Sequence, residues 1–150
     1  FYYLQEIGKR VGREVPANAL VSQIKTKFAH LGSIGKGGTF LYFIWQDPPY
    51  VVGPNTYIHA LLSHFGFENY CTIARYPELQ QVLSKKEKAT GHPDYIFLSS
   101  EPYPFKDEHV ASFQKLFPNS KVRLIDGEMC SWYGSRMMAV PGYLKELFLE

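Results

Sequence analysis

Cys130 and Glu128 are the residues of this chain best placed to make or break a covalent bond, with His59 and His109 as candidate bases. A cysteine nucleophile needs a base within hydrogen-bond reach, and no local signature pairs Cys130 with either histidine. Glu101 and Glu128 could form a carboxylate pair for acid–base work, although a loop carboxylate is more often solvated. The histidines (His30, His59, His64, His92, His109) show no His-Glu-x-x-His or comparable spacing, and His59 and His64 are poorly spaced for one helical face. Cys71 and Cys130 fit no metal or redox spacing. Gly35-Lys36 lies in a glycine-rich stretch, Gly32 to Gly38, yet a phosphate loop needs Ser or Thr after the lysine. It must also lead from a strand into a helix, and this stretch leaves a helix and enters a strand.

A denser signal comes from three loops. The first is Trp45-Gln-Asp-Pro-Pro-Tyr50 through Asn55, and the second is Ser99-Ser-Glu101-Pro-Tyr103-Pro-Phe105. The third is Gly127-Glu128-Met-Cys-Ser-Trp132-Tyr133-Gly-Ser-Arg136. Each joins aromatic rings to a few polar groups and to stiffening Pro or Gly. A flat apolar ligand with a polar fringe would suit such a surface, because rings supply contact area at low entropy cost. The same rings could instead pack beneath their loops, and pattern alone leaves both roles open.

These loops must be positioned by regular elements, and the grammar is that of alternating strands and helices. Residues 1–13 carry Phe1, Leu4, Ile7 and Val11 at helical spacing, and residues 17–31 carry Ala17, Leu20, Val21, Ile24, Phe28 and Leu31. Thr39 to Trp45 reads as a strand buried on both faces, and Tyr95 to Leu98 and Val122 to Ile125 read as two further strands. The Pro48-Pro49 pair is expected to end the first strand. Helices are expected after Asn55 or Thr56, over residues 107–117 and from Pro141, with segment 70–92 undefined. Strands alternating with helices predict an α/β fold with a mainly parallel sheet, in which ligands gather at the carboxyl ends of the strands. The 150 residues have an ordinary globular composition with 16% aromatics. A net charge of +2 gives no footprint for nucleic acid, and no apolar run approaches the roughly 18 residues of a membrane span.

Taken in order, the loops carry a family resemblance. Phe-Ile-Trp45-Gln-Asp-Pro-Pro-Tyr50, followed by Gly53-Pro-Asn-Thr-Tyr-Ile-His-Ala-Leu-Leu and Gly66-Phe-Glu-Asn69, resembles the C-terminal lobe of the helical-backbone substrate-binding proteins. These are the cobalamin, ferric-siderophore and haem receptors of ABC importers. Tyr76-Pro77-Glu78, Pro93-Asp94-Tyr-Ile-Phe-Leu-Ser-Ser and Asp126-Gly-Glu128 through Ser135-Arg136 fit the same family in sequence order. The resemblance implies a Rossmann-like three-layer lobe over residues 36–150, preceded in residues 1–31 by the end of a long connecting helix. A first lobe is expected either on chain preceding Phe1, favoured because Phe1 starts in mid-helix without a cap, or from a partner chain of a natural half-protein.

The same resemblance implies roles. Tyr50 matches an aromatic that faces the corrin in cobalamin receptors, Tyr76 stands where those carry a cleft Trp, and Glu128 matches an acidic cleft residue. Trp132 falls where an Arg can lie, which makes the surface flatter; Trp45, Tyr133 and Arg136 complete the expected ligand surface. Permease docking implies an exposed Glu after the aromatic-Pro motif, for which Glu78 and Glu87 are the candidates. No resident cofactor or metal is expected; the ligand would be a corrinoid or another metal chelate, with a ferric siderophore or haem as the alternative. The partner would be an ABC permease and the location periplasmic or lipid-anchored. The exposed stripe of the first helix also suggests a homodimer through it. The alternative of another class is a small Rossmann-like enzyme using Cys130 or Glu128.

Overall fold

The computed structural model describes residues 1–86 and 91–149. Five strands form one sheet: β1 (Thr39–Gln46), β2 (Pro49–Val51), β3 (Glu68–Asn69), β4 (Tyr95–Ser99) and β5 (Lys121–Ile125). Their order is β2–β1–β4–β5, and β3 pairs with the start of β1 on the edge that β2 takes further along. β1, β3, β4 and β5 are parallel; β2 alone is antiparallel. The mainly parallel α/β lobe expected from the strand–helix alternation is therefore what forms.

Strand alternation divides the core into two layers. Phe40, Tyr42 and Phe97 face α2 (Glu14–Leu31), α3 (Tyr57–His64), α6 (Gly127–Ser131) and α7 (Val140–Leu149). Leu41, Phe43, Ile96 and Leu98 face α4 (Leu79–Lys86) and α5 (Asp107–Leu116) through Val82 and Phe113. The aromatic runs that marked β1 and β4 in sequence are thus core on both sides.

Several boundaries differ from expectation. β2 forms directly after Pro48 because Pro49 is the strand's first residue, where its missing N–H costs least. The helix expected from residue 17 begins at Glu14, with Pro16 in a first turn that has no intrahelical donors to lose. The third loop is largely helical: Asp126 accepts from Met129 N at 3.2 Å and caps α6, and a 3-10 turn spans Ser135–Met138.

The first helix, α1 (Tyr2–Arg10), folds back antiparallel along α2. Gly8 sits against Ala17, Gln5 donates to Asn18 Oδ1 at 2.9 Å, and the Phe1 ring meets Phe28 edge-on at 6.5 Å. Among the described residues no helix is long and apolar enough to cross a membrane.

Candidate functional site

Because β1, β4 and β5 are parallel, the loops at their carboxyl ends emerge on one end of the sheet. There they are stitched together. The Trp45 indole N–H donates to the Asp47 carbonyl at 3.1 Å, and its ring meets Tyr103 edge-on at 5.7 Å. Tyr103 N donates to the Ile44 carbonyl at 3.2 Å, joining the second loop to β1. Glu101 Oε1 accepts the Trp132 indole N–H at 3.1 Å, and Gly127 N donates to Ser100 Oγ at 2.9 Å, joining the third loop to the second. The Asp47–Pro48 and Glu101–Pro102 peptides in these loops are cis.

Tyr133, expected on this surface, packs edge-on against Tyr57 at 5.7 Å and near Tyr3 at 6.5 Å. A cavity of about 280 Å³ opens between these rings, Leu4 and Met137. Helical spacing puts Tyr57 on one face with Ile58, Leu61, Leu62 and Phe65. Tyr57 follows the helix cap Thr56 in the first turn of α3, close to the strand ends, and that placement was the signal available. Its hydroxyl is buried without a hydrogen-bond partner, and burial, then the nearby Cys130, pushes it up to about 12.

The remaining candidates fall into pairs. Glu128 and Arg136 form an ion pair with both side chains about half exposed. Tyr50 lies opposite Trp45 in the β1–β2 register, and its hydroxyl donates to Glu78 Oε1 at 3.3 Å. The Glu78 charge raises the Tyr50 phenol above its ordinary value. Tyr50 and Glu78, to which the resemblance gives ligand and permease roles, therefore share one patch. Tyr76 is exposed near them, and Glu87 lies outside the described residues.

Cys130 is completely buried, and burial, then the Asp126 charge, pushes its thiol up to about 12. A thiol held protonated is a poor nucleophile. The imagined bases are engaged elsewhere: His59 Nδ1 lies 3.3 Å from Asn69 Nδ2, and His109 Nδ1 accepts from Lys106 N at 2.8 Å. Among the described residues no group of three or more His, Cys, Asp or Glu could hold a metal ion.

No family model and no curated protein matches the chain. Solved structures do. A possible iron-binding periplasmic solute-binding protein of Staphylococcus epidermidis matches with TM-score 0.71 and 17% identity, over 96% of this chain and 58% of that one. An ABC transporter substrate-binding protein of Listeria monocytogenes matches with TM-score 0.72 and 18% identity, over 99% and 63%. A periplasmic haem-binding protein of Vibrio cholerae matches with TM-score 0.72 and 15% identity, over 97% and 61%. The chain has the lobe fold of the periplasmic substrate-binding proteins, and the resemblance carried by its ordered loops holds at the level of fold. It spans about three fifths of the length of these proteins. These structural neighbours are solute-binding proteins rather than enzymes.

Proposed function

We propose that this chain is the ligand-binding lobe of an ABC-importer substrate-binding protein, and that its cargo is a flat metal chelate. The observation that carries this is the joined aromatic surface at the strand ends, with Trp45 on Tyr103, Trp132 tied to Glu101 and Tyr133 on Tyr57. Such a surface offers ring faces and edges to a planar macrocycle. Arg136 is already paired with Glu128, so these loops hold little spare positive charge for an anionic ferric siderophore. Cobalamin, neutral overall with an amide fringe, fits that balance best. Haem is the second candidate, supported by the similarity to a haem-binding protein and by the unpartnered Tyr57 hydroxyl beside Tyr133.

The proposal includes a second lobe that closes over this face, a periplasmic or lipid-anchored location, and an ABC permease engaged through Glu78. A chelate held between two lobes draws contact area from both. The 150-residue chain alone is therefore expected to bind weakly, since association costs several kcal/mol before any contact is gained.

Titration of the chain with cyanocobalamin and with haemin, read from the chelates' own absorption bands, tests the proposal. Saturable binding weaker than micromolar, reduced in Trp132→Ala, is the expected result. Failure of both chelates to bind, or binding indifferent to Trp132→Ala, refutes the site. Submicromolar binding by this chain refutes the need for a second lobe.

A further inference from the structure

Tyr42 is fully buried in the middle of β1, its ring edge-on to Phe97 and its hydroxyl near Cys130 and Ser131 as well as Ser99. A buried hydroxyl is costly unless it is bonded, and this one lies 2.9 Å from Ser99 Oγ, at the end of β4. The direction of that bond follows from its neighbour. Ser99 Oγ carries a single proton, which it donates to the Glu101 carbonyl at 2.6 Å. Its oxygen must then accept from Tyr42, and it also faces the Glu101 N–H at 3.4 Å. The chain of donors thus runs from the core phenol to the backbone of Glu101.

The turn so anchored has no slack on its other side. A Cβ on Gly127 would come within 2.6 Å of Ser99 Oγ and 2.9 Å of Glu101 N, so the start of α6 is seated against it. From this turn the Glu101 carboxylate reaches out and accepts the Trp132 indole N–H at 3.1 Å. Trp132 is 57% exposed, so packing alone does little to orient it.

We propose that Tyr42 is a positioning residue for the ligand-facing surface: through Ser99 its hydroxyl fixes the Glu101 turn, and through Glu101 it sets the Trp132 indole. The term ligand-facing rests on the function proposed above; the positioning itself does not.

The test therefore uses a readout that involves no ligand, the exchange rate of the Trp132 indole N–H followed by NMR. A Trp45→Phe variant assigns the two indole signals. Tyr42→Phe should speed exchange at Trp132 about fivefold, as the loss of one ordinary neutral hydrogen bond implies. Glu101→Ala should remove the protection, and Glu101→Gln, which keeps an acceptor oxygen, should restore it. Phe113→Leu, on the opposite face of the sheet, should lower stability without moving the Trp132 signal. Ser99→Ala breaks the same link and is expected to match Tyr42→Phe, which keeps the test available if the latter does not fold. Unchanged exchange in Tyr42→Phe or Ser99→Ala alongside fast exchange in Glu101→Ala overturns the proposal. So does unchanged exchange in Glu101→Ala. Failure of both cyanocobalamin and haemin to bind the parent chain overturns the proposed function and leaves this result standing.

Discussion

Arg136 neutralises Glu128 within the third loop, so two groups that looked like independent contacts in sequence act as one. With the side chains 48% and 47% exposed, the pair contributes at most about 1 kcal/mol to stability. Its larger effect is on charge. Glu128→Gln leaves Arg136 unpaired in the third loop and should favour haemin, with its carboxylates, over cyanocobalamin by about threefold at low salt, fading as salt screens the charge. Parallel titrations of the two chelates at two ionic strengths check this. An affinity ratio that stays put or moves toward cobalamin removes Arg136 from the ligand surface.

Cys130 gives a pH prediction with a definite sign. Its thiol ordinarily ionises near 9.0 and in the folded chain near about 12, because burial penalises the thiolate. The unfolded chain therefore gives up this proton first. The stability involved is fully present below pH 9.0 and is lost as pH rises toward about 12. Cys130→Ala should flatten the alkaline decline in urea-unfolding free energy, leaving the part due to Tyr42, Tyr57 and Tyr143, whose hydroxyls burial also raises. Native protein should resist iodoacetamide at pH 8. Rapid alkylation without unfolding would revive the Rossmann-like enzyme as a competing function.

β1 and β4 were legible because a strand buried on both faces leaves an unbroken apolar run, as Thr39 to Trp45 does. β5, with Lys121 and Arg123 exposed, was legible from its apolar Val122, Leu124 and Ile125. β2 was not, because Pro49 forbids a central strand and says nothing about an edge. α6 was missed because Gly127 and the Trp132-Tyr133-Gly134 run read as loop, while the Asp126 cap that starts it is a local cue easily overlooked. Trp45, Trp132 and Tyr133 could be named from their loops. Glu101 and Tyr103 stood in a neighbouring loop, but that they and Tyr57 partner these rings follows only when separate strand ends meet in space.

Gly53 and Thr56 secure the approach to α3 by different means. A Cβ on Gly53 would fall onto the Ile73 carbonyl, and Gly53 N already donates to the Arg75 carbonyl at 2.7 Å, so neither backbone can retreat freely. Gly53→Ala should cost about 3 kcal/mol, the upper range for overpacking. Thr56 Oγ1 accepts from His59 N at 3.2 Å and donates to the Gly53 carbonyl at 2.9 Å. Thr56→Ala should cost about 1 kcal/mol, as loss of an N-cap does. Urea unfolding of both variants gives the comparison, and a reversed order would contradict the close approach at Gly53.

The exposed side of α1 bears on self-association. Leu4 packs against the core and the half-exposed Phe1 ring meets Phe28, while Tyr3, Ile7 and Val11 stay exposed at helical spacing. An apolar stripe of this kind favours burial against a second surface. The proposed homodimer through this helix predicts a mass in light scattering that rises with concentration. Removing α1 would be a poor control, since it would uncover Phe28 and create a new apolar surface. Tyr3→Ser, Ile7→Ser and Val11→Ser together leave Phe1 and Leu4 in place and should return the chain to monomer. A parent that stays monomeric, or a triple variant of unchanged mass, would exclude α1 as the contact. In the first case the stripe would be left to the second lobe, because Tyr3 already meets Tyr133 at the edge of the aromatic surface that lobe would cover.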